Sequence, residues 1–163
     1  MKAARTVGIQ YAALPFRIEA RRIGILLITS RGSGRWLIPK GWPIDGLTPQ
    51  DAVATEAAEE AGLIGHVEAQ PLGSYRYLKR AKSEQSRAVQ VIVFPFLVEG
   101  LQESWKEQGQ REARWFTYPE AAAAVAEPSL KRLIRQFGEA RTPTLIAQSL
   151  HRYRTWRLAR VSR

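Results

Sequence analysis

Three glutamates are crowded into a short alanine-rich segment of this 163-residue chain. On a helix, Glu56, Glu59 and Glu60 would share an arc of roughly 100°, and like charges at such spacings destabilise a helix by roughly 0.2–0.5 kcal/mol per pair. A divalent cation would neutralise them. Because carboxylates offer only oxygen and the chain has no cysteine, the expected ion is Mg²⁺ or Mn²⁺. A solvated acidic helix face is the alternative interpretation.

The residues before the acidic segment indicate an anion-binding loop. Residues 39–43 begin and end with proline, and between them Lys40 supplies a cation while Gly41 lets backbone approach a ligand closely. Metal-assisted phosphate chemistry needs an anion-binding group together with a metal that activates water and shields charge. The loop and the acidic segment together therefore favour that chemistry.

The acidic segment carries the end signals of a helix. Thr48 is a good N-cap, Pro49 suits the first helical position, and Asp51 resembles the last residue of a capping box. Five alanines follow, and Gly62 is a typical C-terminal stop. The sequence therefore predicts a helix over residues 48–61.

Strands and helices are mixed along the rest of the chain. The apolar patterns predict strands at residues 7–16, 23–29, 36–38, 72–78, 88–98 and 114–117, and helices at 119–126, 129–137 and 144–160. Pro95 indicates a bulge or an edge position within its strand. This mixture predicts an α/β protein built in layers.

The loop and the acidic segment together resemble the signature of a known protein family. Residues 41–63 are similar to the Nudix box, the 23-residue signature of the Nudix pyrophosphohydrolases. The matching positions are Gly41, Glu56, Ala57, Glu59, Glu60, Gly62 and Leu63. Two positions depart from the signature, because Leu47 replaces its first glutamate and Thr55 replaces an arginine that orients a catalytic glutamate by a salt bridge.

The resemblance extends over residues 7–137, beyond the box. The pattern Trp105…Arg111…Trp115-Phe116 looks most like the branch of diphosphoinositol polyphosphate and diadenosine polyphosphate hydrolases. It implies a Nudix-like α/β/α sandwich with a mixed β-sheet. The implied boundaries are a Nudix hydrolase domain at residues 7–140 and an extra basic C-terminal helix within an extension at residues 141–163.

The family reaction implied by the resemblance is metal-dependent hydrolysis of a diphosphate linkage, here in a highly phosphorylated small molecule. Glu56, Glu59 and Glu60 would hold Mg²⁺ or Mn²⁺, helped by the carbonyl of Gly41, and Lys40 would contact phosphate. The general base varies across the family. The candidates are Glu60, Glu107 and Glu112, of which the last two are equally explained as solvated loop carboxylates.

Five further cations are candidates for binding a phosphorylated substrate, since arginine suits bidentate phosphate contacts. Arg17, Arg31 and Arg35 lie near strand ends expected to face the site. Arg76 and Lys79 lie beside a predicted hairpin turn. Simple exposure of turn cations is the alternative.

The positive charge is concentrated near the end of the chain. Residues 129–163 hold nine basic residues and one acid, a net charge of +8 out of +10, which leaves +2 for the remainder. Such a segment attracts polyanions, among them nucleic acid, or simply solvates a helix face. Together with Leu47 and Thr55, it motivates two alternatives: a weakened Nudix domain that binds nucleotide or RNA, and an RNA 5′ pyrophosphohydrolase.

Composition also bounds the location of the protein. The chain has no cysteine, no apolar run of 18 residues and no signal-peptide pattern. We therefore expect a cytoplasmic protein without membrane contact. Apolar residues among the C-terminal arginines would support a homodimer.

Overall fold

Eight strands form one mixed sheet in the computed structural model, which describes residues 7–80 and 86–142. In chain order they are β1 (Gly8–Glu19), β2 (Arg22–Thr29), β3 (Trp36–Leu37), β4 (Lys40–Gly41), β5 (Leu63–Val67), β6 (Gly73–Lys79), β7 (Arg87–Leu101) and β8 (Ala113–Thr117). Five strands lie in the order β3-β2-β1-β7-β5, while β4 pairs with β1, β6 with β7 and β8 with β2. The β1–β7 pair is parallel and the other described pairs are antiparallel.

Helices cover both faces of this sheet. They are α1 (Pro49–Ala61), α2 (Tyr118–Ala124) and a helical segment at residues 128–142, called α3 here. Neighbouring residues of a strand point to opposite faces, and Ala13 of β1 packs with Val53 of α1 while Leu14 packs with Ile134 of α3. The two buried clusters confirm the expected α/β/α arrangement around a mixed sheet.

The ends of α1 follow from local sequence signals, as predicted. Thr48 is the N-cap, and its hydroxyl accepts a hydrogen bond of 3.1 Å from the Asp51 amide. Gly62 ends the helix in the left-handed region at φ 65°, and its amide donates to the Ala58 carbonyl at 2.9 Å. Left-handed backbone at this position is a common way to close a helix and favours glycine.

Pro95 lies at neither a bulge nor a sheet edge, so that prediction is wrong. It sits inside β7 opposite Leu14 of β1. On the other side of β7 the partner changes there, because β6 pairs as far as Val93 and β5 pairs from Phe96 onward. The amide hydrogen that proline lacks is accommodated where one partner strand gives way to the next.

Two short strands, β4 and β5, were not expected from the sequence. At the other end of the fold, α3 continues through residues 140–142, across the expected domain boundary. The predicted helix at 144–160 lies outside the described residues. Among the residues that the structure describes, no helix is long and apolar enough to cross a membrane.

Candidate functional site

Strand β4 presses Gly41 against the acidic helix. The pairing of β4 with β1, in which Lys40 lies opposite Ala12 and Gly41 opposite Tyr11, fixes the position of this strand. A Cβ atom on Gly41 would collide with the carboxylate of Glu56. A larger residue here would force the Glu56 side chain to move, and the contact places the Glu56 carboxylate on the backbone of β4.

Glu60 is the most enclosed of the three helix carboxylates. Its Oε2 accepts a hydrogen bond from the Lys40 amide at 3.1 Å, and its Oε1 lies 2.7 Å from Arg111 Nη2. Only 10 % of its side chain is exposed. Burial raises the pKa of Glu60 from its ordinary value of 4.5 to about 7, although Arg111 and the Lys40 amide act in the opposite direction.

Arg111 joins three parts of the site. Besides its bond to Glu60, its Nε donates to Glu107 Oε2 at 2.7 Å and its Nη1 donates to the Thr29 carbonyl at 3.0 Å. The arginine side chain is 8 % exposed and that of Glu107 14 %. One buried guanidinium therefore ties the end of β2, the loop before β8 and α1 together.

The same loop contacts the C-terminal half of α1 elsewhere. Lys106 Nζ lies 2.8 Å from Glu59 Oε2, and the Glu107 amide donates to the Glu59 carbonyl at 3.0 Å. The indole of Trp105 packs on Gly62, where a Cβ atom would collide with it. The loop therefore supplies the cations that α1 itself does not carry.

The donor chemistry of the site fits a hard divalent cation. Glu56 lies against Gly41, and its pKa is raised by burial first and then by the nearby Glu59 and Glu107 carboxylates. Within residues 7–80 and 86–142, no three acidic, histidine or cysteine side chains converge on a ready-made metal site. Mg²⁺ commonly takes one or two carboxylates and completes its shell with water and substrate phosphate, so this arrangement remains compatible with it.

The Lys40 ammonium lies on the other side of β4 from Gly41. It sits 5.5 Å from the centre of the Tyr77 ring, and Lys79 Nζ sits 5.0 Å from the Trp42 ring. Burial lowers the pKa of Lys40, while Glu60 acts in the opposite sense. Two predicted substrate-binding cations thus lie over neighbouring aromatic rings.

The other predicted cations are placed less uniformly. Arg31 joins the cluster, with its Nη1 3.3 Å from Glu107 Oε1. Arg35 lies in the exposed turn after β2, where its Nε donates to Ser33 Oγ at 3.3 Å. Arg76 is exposed on the face of β6 opposite to that of Lys79.

Arg17 and Glu112 are not brought into the cluster. Arg17 stacks 4.2 Å from the Trp115 ring and pairs with Glu19 at 3.0 Å. It lies opposite Gly24, five residues and therefore about 17 Å along β2 from Thr29. Glu112 is exposed and exchanges hydrogen bonds with Thr29 through its backbone.

Sequence reasoning missed the roles of Lys106 and Arg111. Arg111 belongs to the motif that ends in Trp115-Phe116, but nothing in the local sequence links it to Glu60, 51 positions earlier. The signal that could have found it is the charge imbalance of α1, which has three clustered glutamates and no cation. Such a helix calls for counter-charges from elsewhere in the fold.

Comparison with known proteins identifies relatives of this chain. The NUDIX domain family matches residues 10–137. The chain is 30 % identical to the Arabidopsis thaliana protein "Nudix hydrolase 18, mitochondrial" over 129 residues, covering 74 % of this chain and 70 % of that protein. It is 32 % identical to diphosphoinositol polyphosphate phosphohydrolase 3-alpha of Mus musculus, covering 68 % of this chain and 64 % of that protein.

A solved structure shares the fold. The C. elegans Ap4A hydrolase superimposes with a TM-score of 0.59, covering 81 % of this chain and 96 % of that one. The two sequences are 19 % identical, so this similarity concerns the fold alone.

Proposed function

The chain belongs to the Nudix hydrolase family, whose members act on phosphorus anhydrides, and we propose that it cleaves a diphosphate linkage in a highly phosphorylated small molecule with the help of Mg²⁺ or Mn²⁺. The substrate type is a diadenosine polyphosphate or a diphosphoinositol polyphosphate. Nudix hydrolases generally use divalent metals, and the oxygen donors on α1 suit those ions.

The placement of the α1 carboxylates carries this proposal. Glu56 rests on Gly41, and Glu60 accepts a hydrogen bond from the amide of Lys40. Strand β4 therefore connects the proposed phosphate-binding lysine to the oxygen donors of α1, because the Lys40 amide bonds to Glu60 and the Glu60 charge also acts on the Lys40 ammonium. A water-activating metal beside an anion-binding cation is the requirement for hydrolysis of a phosphoanhydride.

The preference for a highly phosphorylated substrate rests on the surrounding cations. Lys40 and Lys79 lie over the rings of Tyr77 and Trp42, and Arg31 contacts Glu107, whose amide bonds to Glu59 of α1. A substrate with several phosphates engages more of them at once than a substrate with one. The similarity to a mouse diphosphoinositol polyphosphate phosphohydrolase agrees with this choice.

When bound, the metal would shield phosphate charge and lower the pKa of a water molecule. Glu56, Glu59 and Glu60 would hold it. Lys40 would bind an oxygen of the phosphate chain, and Arg31, whose side chain is 57 % exposed, would reach the more distant phosphates. Trp42, 43 % exposed, would cover an apolar part of the substrate.

Product formation from a substrate panel, separated by ion-exchange chromatography, tests the proposal. The panel holds diadenosine polyphosphates, diphosphoinositol polyphosphates, nucleoside diphosphate sugars, nucleoside triphosphates and triphosphorylated RNA, each with Mg²⁺, with Mn²⁺ and with a chelator. We expect metal-dependent turnover of one of the first two classes. The double variant Glu59→Gln/Glu60→Gln should lose it, because amides neither balance the cation charge nor bind it well.

Glu139→Gln is the matched control, since Glu139 is an exposed glutamate of α3 on the far side of the sheet. It should retain wild-type turnover. Turnover of RNA alone would replace the small-molecule proposal by the RNA 5′ pyrophosphohydrolase alternative. A folded wild-type protein that turns over nothing in the panel would favour the binding-module alternative.

Three further expectations from the sequence, on nucleic-acid binding, dimerisation and location, remain predictions. Nucleic-acid binding through residues 141–163 would appear as affinity that falls steeply with salt. A homodimer would appear in sedimentation analysis. A cytoplasmic location needs direct localisation, and the similar Arabidopsis protein is named as mitochondrial.

A further inference from the structure

Arg111 is the one described cation whose three guanidinium nitrogens each bond to a different part of the site. Nη2 bonds to Glu60 on α1, Nε to Glu107 in the loop, and Nη1 to the Thr29 carbonyl at the end of β2. Since the guanidinium is planar and rigid, three such bonds fix its plane and position. It therefore presents a fixed donor to each carboxylate.

Because the three side chains are buried, breaking one of these bonds has a large energetic cost. The side chains of Arg111, Glu60 and Glu107 are 8 %, 10 % and 14 % exposed. Removing one partner of a buried ion pair leaves an uncompensated charge, which the structure must relieve by moving a side chain or admitting water. Without Arg111, Glu60 would keep only its bond from the Lys40 amide, and Glu107 only its contact with Arg31.

The neighbouring ion pair of the same loop is of a different kind. Lys106 bonds to Glu59 with a side chain that is 67 % exposed, and an ammonium on a flexible stem sets no plane. At position 55 of α1, the Thr55 hydroxyl donates to the Asp51 carbonyl at 2.8 Å, so this position supplies no cation. Orientation of Glu60 therefore depends on Arg111 and on the Lys40 amide.

We propose that Arg111 is a positioning residue, which holds the Glu60 carboxylate in the orientation that binds the metal and keeps Glu107 beside it. This inference rests on the proposed metal-dependent function. It assigns to the loop before β8 a role in metal affinity, which Arg111 exerts through Glu60.

Mn²⁺ binding to the free protein, measured by calorimetry without substrate, tests the inference. We expect Arg111→Met to weaken Mn²⁺ binding by about 10–100-fold, the usual effect of removing a group that orients a metal ligand. Arg111→Lys keeps the positive charge but lacks the planar guanidinium with its several donors, and it should weaken Mn²⁺ binding by a smaller factor. In turnover assays, kcat should fall while KM stays close to wild type.

A control separates positioning from simple stabilisation. Arg141 bonds to Glu68 at 2.6 Å and ties α3 to the end of β5. Arg141→Met should lower the melting temperature and leave Mn²⁺ affinity unchanged. If folded Arg111→Met binds Mn²⁺ as tightly as wild type or more tightly, the inference is overturned, whatever its melting temperature.

A double-mutant cycle locates the effect on Glu60. If Arg111 acts through this carboxylate, Arg111→Met should change Mn²⁺ affinity by less than about twofold in a Glu60→Gln background, because coupled sites are not additive. An undiminished effect in that background would count against the inference. Should Arg111→Met fail to fold, the same cycle is run with Arg111→Lys. A wild-type protein that binds no Mn²⁺ would instead refute the proposed function itself.

Discussion

The helices α1 and α2 are built from the same local parts but are used differently. Each has a threonine N-cap, a proline in its first turn and an alanine-rich body. They pack on opposite faces of the sheet, with Ala57 of α1 in one buried cluster and Ala121 of α2 in the other. Small side chains let both helices approach the strands closely.

Their charges set them apart. The single glutamate of α2, Glu120, closes its own helix by accepting bonds from the Thr117 amide at 2.9 Å and the Thr117 hydroxyl at 2.7 Å. Asp51 of α1 likewise accepts a bond of 2.7 Å from the hydroxyl of its own N-cap, Thr48. Glu59 and Glu60 bond instead to Lys106, Arg111 and the Lys40 amide. N-caps and alanines therefore suffice to form either helix. Only α1 also has charged partners from distant segments, and these make its glutamates a candidate functional site.

The largest expected effect comes from Gly41→Ala, which acts on the α1 side of this comparison. The new Cβ atom would displace the Glu56 carboxylate, whose flexible side chain can move at little cost in stability. We expect metal-dependent turnover to fall by about 10–100-fold with a melting temperature near that of wild type.

Gly100→Ala is the matched substitution, since its Cβ atom would meet nothing within 4 Å. It should leave turnover unchanged. Wild-type turnover in Gly41→Ala would mean that the Glu56 position does not matter for the reaction.

The second prediction concerns Glu60 and pH. Its pKa is about 7 in the folded protein against an ordinary 4.5, so the folded state binds more protons between these values. The stability from Glu60 is therefore fully present below about pH 4.5 and is lost as pH rises through 7, on the order of 3 kcal/mol in total. Chemical denaturation of the metal-free protein across this range should show the loss, and Glu60→Gln should remove that part of the slope. Equal slopes for the two proteins would contradict the assignment.

The third prediction concerns the face of the sheet covered by α2, where Gly138 of α3 packs against the ring of Tyr118. A Cβ atom on Gly138 would collide with ring carbons, which cannot yield as a flexible chain end does. We expect Gly138→Ala to lower the free energy of unfolding by about 1–3 kcal/mol, measured in urea, without changing kcat in the remaining folded protein. If Gly138→Ala lost kcat but kept wild-type stability, the α2 face of the sheet would also take part in the reaction, and the proposed difference between the two faces would be wrong.

Sequence reasoning reached the parts of this architecture that depend on neighbouring residues. The bounds of α1 were predicted because Thr48 and Gly62 act within one turn of the helix ends. Strand β4 was missed because its two residues are extended only through pairing with β1, and β5 because its LIGHV sequence offers a short, interrupted apolar pattern.

The same reason limits what could be predicted of the site. The spacing of Glu56, Glu59 and Glu60 predicted a shared helix face, and the structure has all three directed toward β4 or the loop. The Arg111–Glu60 pair joins positions 51 residues apart, and no local rule places such residues together. Arg17 was expected near the site from its position at a strand end, but the strand carries it away from the acidic helix.

The smallest expected effect is a pH effect on α2, opposite in sign to that of Glu60. Hydrogen bonds from Thr117 lower the pKa of Glu120, so the ionised carboxylate is favoured by folding. Its contribution to stability is present above its unfolded pKa and is lost as pH falls through the lower folded value. Glu120→Gln keeps the cap hydrogen bonds but not the charge, so its melting temperature should lie slightly below wild type at neutral pH and converge with it in acid. A difference that persists in acid would mean that the cap depends on geometry alone, and α1 would then be the only one of these two helices whose carboxylates act through their charge.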